Sequence, residues 1–230
     1  MIPLRDNVPR SSWPWVTVAI IVANCVAFLH EVKLDPLDLN VFIQTYAVIP
    51  ARTAAFLGGR AVNPAAAIVP FFTSMFLHGG WMHLIGNMWF LWIFGDNVED
   101  RVGHLRYLLL YLLCGLAGGA TYFYFSYYST TPSLGASGAI AGVMGAYMIT
   151  FPRARILTLV PLFVFLTTIE VPAYLMLIYW LVIQLFSGVA SLGVQEQGGV
   201  AWFAHVGGFV AGVPLMLLLR RPRRSRAAYS

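Results

Sequence analysis

The sequence predicts an all-α polytopic membrane protein, a bundle of six transmembrane helices, and three observations carry that reading. Of the 230 residues, 59% are hydrophobic and only 10% are charged, against about 25% charged in an average soluble chain. Several apolar stretches approach or exceed the ~20 residues needed to cross a bilayer. The cations are also distributed as in a threaded chain. With six spans both termini share one side, and eleven of the fourteen Lys and Arg gather there. The other three, Lys33, Arg52 and Arg60, fall in the first loop. The positive-inside rule makes both termini cytoplasmic, whereas five or seven spans would divide the cations between the sides. The net charge of +5 therefore reflects orientation in a membrane, not nucleic-acid binding.

Residues 1–12 read as a polar cytoplasmic tail, residues 13–219 as one six-helix domain, and residues 220–230 as a basic cytoplasmic tail with Arg220, Arg221, Arg223, Arg224 and Arg226. The first span runs from Trp13 to about Leu29, with Pro14 suited to a helix start; no small-x-small cleavage site follows it, so it is expected to stay uncleaved. Residues 31–67 mix Pro36, Pro50, Gly58, Gly59 and Pro64 with apolar patches and predict short helices lying in the interface. The second span covers about Trp81–Val98 and ends in Glu99-Asp100-Arg101. The third, about Leu105–Tyr128, carries tyrosines suited to an interfacial belt. A Ser/Thr/Pro loop over 129–134 leads to the fourth, about Gly135–Phe151. Residues 156–170, apolar but broken by Pro161, predict a re-entrant or interfacial segment. The fifth and sixth spans cover about Ala173–Leu192 and Ala201–Leu219. Cys25 and Cys114 fall inside spans as small apolar residues, with neither metal-ligand spacing nor a disulfide framework, so no metal or cofactor is expected.

Three spans carry polar residues at one depth. From Ser137 to Arg153 is 16 residues, from His205 to Arg220 is 15, and from Asn87 to Arg101 is 14, or roughly 24, 22 and 21 Å of helix. His83 lies one turn from Asn87 on the same face. Polar side chains at such a level are costly unless paired or functional. Singly, each has an ordinary structural reading: Ser137 back-bonded to a carbonyl, Asn87 as glue between helices, His205 packed in the core. Together they specify chemistry. A serine needs a base, and neutral imidazole accepts its proton. No span interior holds a carboxylate, so the expectation is a Ser137–His205 dyad, with the Asn87 amide, His83 and the Ser137 N–H as oxyanion donors. Small residues at 204, 208 and 212, and at 138 and 142, let the two helices approach closely.

Gly135-Ala-Ser-Gly138, His83-Leu-Ile-Gly-Asn87, Glu99 to Gly103 and Ala204-His205-Val-Gly-Gly-Phe-Val-Ala-Gly212, in this order, resemble the rhomboid family of intramembrane serine proteases over nearly the whole chain. The resemblance implies Ser137 as nucleophile, His205 as base, and His83 and Asn87 as oxyanion helpers. It implies cleavage of membrane-anchored proteins within or near their transmembrane helix, so the expected partners are transmembrane substrates and the bilayer. The family also gives weight to a glutamate near Glu99, whose expected role is pairing with a cytoplasmic arginine. Two features depart from many members: position 141 is Ala instead of an aromatic residue packing on the histidine, and residues 31–67 hold no Trp-Arg pair. His78 reads as a loop histidine. Two rivals from other classes are an inactive relative that binds transmembrane helices and a small transporter. The intact dyad argues against the first, and the lack of repeats or intramembrane acids against the second. Thirteen arginines to one lysine suggest a GC-rich bacterial source and an inner-membrane location.

Overall fold

The computed structural model describes residues 2–162, 165–192 and 200–220. The loop around Glu196 and the basic tail beyond Arg220, both named above, lie outside the described residues. The apolar run after Pro14 forms α1 (Trp15–Glu31). Its first amides lack intrahelical partners, and Glu99 supplies them from a distant helix. The carboxylate accepts from Val16 N–H at 2.9 Å, Thr17 N–H at 2.8 Å and the Thr17 hydroxyl at 2.7 Å. An anion there also suits the positive end of the helix dipole. Instead of the expected arginine, the start of α1 and the ring of His104 are therefore the hydrogen-bond partners of Glu99 among the described residues. A fully buried carboxylate needs several directed donors.

The long connection breaks into α2 (Pro36–Tyr46), α3 (Pro50–Leu57), α4 (Pro64–Ile68) and α5 (Pro70–Thr73), then a 3-10 turn at Ser74–Phe76. Each of these helices starts at a proline, where a missing amide costs no hydrogen bond. Five longer helices follow: α6 (Trp81–Val102), α7 (His104–Phe125), α8 (Ser137–Thr150), α9 (Ala173–Ser191) and α10 (Trp202–Leu219). The core sits where α6, α7, α8 and α10 meet, around Phe94, Tyr107, Tyr111, Met144, Tyr147 and Phe209.

Helices α7, α9 and α10 are each long and apolar enough to cross a membrane, and Pro64–Phe76 with α6, bent by 76°, forms a fourth candidate. Helices α1 and α8 are apolar but shorter, at 17 and 14 residues. The outward faces are apolar too: Val26, Phe186 and Leu218 are 62%, 71% and 79% exposed. That surface suits lipid and is wrong for water. The chain is an all-α polytopic membrane protein.

One small sheet is attached to this bundle. The described residues of 156–170, expected as a re-entrant or interfacial segment, form an antiparallel pair of β2 (Arg155–Leu162) and β3 (Phe165–Pro172). The tail expected to be merely polar supplies β1 (Ile2–Asp6), giving the order β1-β2-β3. Both strands of the hairpin are rich in β-branched residues, and pairing satisfies backbone groups that a re-entrant coil would leave open. The tail is also tied to the bundle. Pro3 C=O accepts from the Trp89 indole at 2.6 Å, and the Asp6 carboxylate accepts from the Asn97 amide at 2.8 Å and from the Tyr147 hydroxyl.

Burial pushes the Asp6 carboxyl above its ordinary value, outweighing the hydrogen bonds from Tyr147 and Val8. The folded chain thus holds this proton more tightly than the unfolded one. The group's contribution to stability is full below the unfolded value of about 3.9 and falls as pH rises through the folded value. Asp6→Asn keeps an oxygen for Tyr147 and cannot ionise. Its Tm in detergent should match or exceed that of the parent at pH 7.5 and vary less between pH 4 and 7. A larger loss at pH 7.5 than at pH 4.5 would contradict this account.

Candidate active site

The chain enters α8 through an irregular segment, residues 129–136, that is bonded to the first loop at Ser129, Ser133 and Gly135. Ala51 N–H donates to Ser129 C=O at 2.9 Å, Val48 and Ser133 exchange hydrogen bonds of 3.0 and 2.8 Å, and Gly135 N–H donates to Ser74 C=O at 2.8 Å. Non-helical backbone at membrane depth is tolerated only with such protein partners. The helix therefore begins at Ser137, two residues later than the sequence suggests. Gly135 has φ +126°, and a Cβ there would lie 2.8 Å from Cε1 and Nε2 of His83, so only glycine fits the turn.

As the first residue of α8, Ser137 has no carbonyl one turn back on which to close, which removes its ordinary structural reading. Its Oγ lies 2.7 Å from Nε2 of His205, a residue in the first turn of α10. Backbone contact between the two helices makes this possible: a Cβ on Gly208 would fall 1.9 Å from Gly138 O, and one on Gly212 1.9 Å from Gly142 O. The other ring nitrogen of His205, Nδ1, lies 2.7 Å from Oε1 of Gln184 on α9. Gln184 was invisible to a search for carboxylates, although a glutamine within an apolar span was itself a signal. The aromatic support missing at Ala141 comes from elsewhere. The Trp180 ring lies 5.7 Å from His205 at an interplanar angle of 34°, and the Trp202 ring stands edge-on to it at 6.3 Å.

His83 and Asn87 project from α6 as their spacing predicts. Gly79 N–H donates to Nδ1 of His83 at 3.3 Å, which leaves Nε2 as the protonated nitrogen, and that is the edge facing Gly135. Asn87 is not in hydrogen-bond contact with the dyad. Its Nδ2 is buried and without a partner among the described residues. His78 is more than a loop histidine: it is 2% exposed, its N–H faces both carboxylate oxygens of Glu31 at 3.3 Å, and its ring meets His83 edge-on at 5.1 Å.

Chemically, the arrangement offers a hydroxyl bonded to an imidazole acceptor, with the Nε2–H of a neutral imidazole and the first-turn amides of α8, which have no intrahelical partners, beside it. Known proteins resemble this chain in sequence. RHOMBOID-like protein 1 of Arabidopsis thaliana is 28% identical over 236 residues, covering 94% of this chain and 56% of its own length. Rhomboid protease GluP of Bacillus subtilis is 36% identical over 140 residues, covering 61% of this chain and 24% of its own. Rhomboid protein 1, mitochondrial, of Saccharomyces cerevisiae is 33% identical over 149 residues, covering 61% and 38%. The chain thus spans from about a quarter to just over half of the length of these relatives. Because the relatives include mitochondrial proteins as well as a bacterial one, kinship does not support the bacterial inner membrane expected from composition. The Rhomboid domain model matches residues 65–222, which takes in α6 to α10 and every polar residue of the site; the chain belongs to the rhomboid family.

Proposed function

We propose that this chain is an intramembrane serine endopeptidase that hydrolyses peptide bonds of transmembrane proteins. The observation that carries the reading is the 2.7 Å contact between Ser137 Oγ and His205 Nε2. His205 Nε2 takes the hydroxyl proton while Oγ bonds to the scissile carbonyl carbon, and the carbonyl π pair moves to its oxygen. That oxyanion is met by Nε2–H of His83, the Ser137 amide and the Asn87 amide. Collapse breaks the C–N bond, and His205 returns its proton to the leaving nitrogen. Water, deprotonated by the same imidazole, then frees the acyl group.

Helix length supports the membrane setting. At 14 residues, α8 spans about 21 Å, short of a hydrocarbon core of about 30 Å. With six spans, cytoplasmic termini and the C-terminal end of α8 at the cytoplasmic interface, Ser137 lies below the opposite surface. A substrate helix must unwind to present a bond there, so small or helix-breaking residues near the scissile bond are favoured.

Labelling of Ser137 by a fluorophosphonate probe, lost in His205→Ala, is the test. An unlabelled parent chain favours the reading as an inactive helix-binding relative. The buried, unpartnered Nδ2 of Asn87 suits a donor whose acceptor arrives with the substrate. Asn87→Ala should slow turnover by up to about 10²-fold, the scale of one oxyanion donor, with little change in KM. An equal rise in KM at constant kcat would make Asn87 a binding group only.

A further inference from the structure

We infer that Gln184 is the positioning residue of the general base, the neutral third member of a Ser137–His205–Gln184 array. This rests on the reading of Ser137 and His205 as nucleophile and base. A neutral imidazole carries one proton on either nitrogen, and only the form with Nδ1–H leaves Nε2 free to accept from Ser137. Nothing in a bare dyad selects that form. Gln184 does, because its Oε1 lies 2.7 Å from Nδ1 and a carbonyl oxygen can only accept. The contact is dry: Gln184 is 6% and His205 8% exposed, so water does not compete for Nδ1.

The surroundings fit an orienting role. Gln184 lies one helical turn from Trp180 on the same face of α9, and the Trp180 ring lies against the imidazole. One face of α9 thus fixes the ring plane through Trp180 and its protonation through Gln184. When the imidazole becomes doubly protonated during attack, Nδ1–H continues to donate to Oε1. The amide takes no proton and supplies no charge, which a dry membrane interior would make costly. An amide can therefore occupy, in lipid, the place that a carboxylate would hold in a water-soluble site.

Two measurements test this. The first is the rate of Ser137 labelling by a fluorophosphonate. Gln184→Leu should slow it by about 10- to 100-fold, the scale of losing a partner that orients a histidine, while Gln184→Glu, which keeps an acceptor, should stay within a few-fold of the parent. The second is the nitrogen-15 spectrum of histidine-labelled protein, with His205 assigned by its loss in His205→Ala. The parent should show Nδ1 protonated and Nε2 free, and Gln184→Leu should shift toward the opposite tautomer or a mixture. Labelling of Gln184→Leu at the parental rate, or an unchanged His205 spectrum in that variant, would overturn the proposal. A misfolded Gln184→Leu is recognised by its Tm, and Gln184→Glu then decides: failure to label in a folded Gln184→Glu overturns the role as acceptor. An unlabelled parent protein sinks the protease reading instead, and the tautomer spectra still decide whether Gln184 sets the protonation of His205.

Discussion

Ser137→Ala should abolish cleavage of a transmembrane substrate while leaving a folded, substrate-binding protein. The substitution removes the atom that the proposed mechanism uses as nucleophile. Cys114, the buried thiol of the neighbouring α7, is closed off by core packing. Loss of a serine nucleophile in a well-organised site costs on the order of 10⁴–10⁶ in rate, which in a membrane assay is no detectable product. Stability should hardly move. One hydrogen bond of about 1 kcal/mol is lost, and alanine fits the space that serine leaves. Capture of uncleaved substrate by Ser137→Ala, matched by full processing in the parent chain, separates a protease from a helix-binding relative. Turnover by the variant above about 1% of the parental rate would remove Ser137 from the mechanism.

Much of this site was legible before the fold was known, for a reason specific to membranes. Lipid-facing helices tolerate few polar groups, so Ser137, His205, Asn87 and His83 stood out against their apolar surroundings, and rise per residue placed them level. The same reasoning missed Gln184 and Trp180. Both lie on a span whose rotation about its axis the sequence does not define, and a glutamine facing His205 reads like one facing another helix. Glu99 was expected to pair with an arginine, whereas its partners among the described residues are the start of α1 and His104, because charge counting pairs anions with cations and overlooks helix amides as donors. The strand pairing within residues 156–170 was not legible, because an apolar stretch between two spans reads against lipid alone. Its strand partner, Ile2–Asp6, lies some 150 residues away in the chain, beyond the reach of any local pattern.

Gly208→Ala should be a severely damaging single methyl, and it tests whether close packing or sequence motif makes the dyad. The added Cβ would stand 1.9 Å from Gly138 O and 2.8 Å from Gly138 C. Both are backbone atoms, so no rotamer change relieves the overlap. To regain ordinary contact of about 3.4 Å, α10 must move by about 1.5 Å from α8. Its retreat is obstructed, since Gly207 on the same helix packs on Thr121 of α7, where a Cβ would meet Oγ1 at 2.1 Å. Overpacking of this kind costs typically 1–3 kcal/mol. The functional loss should be larger than the loss of stability. A shift of that size stretches the 2.7 Å contact of Ser137 and His205 beyond hydrogen-bond range, and misplacement by about 1 Å can cost 10²-fold in rate. Gly86→Ala on α6 is the matched control: no neighbouring atom lies within 4 Å of its Cβ position, and alanine improves helix propensity by up to about 1 kcal/mol. That variant should label Ser137 normally with an equal or higher Tm. Should Gly208→Ala do the same, the contact of α8 with α10 is not what brings the serine to its base.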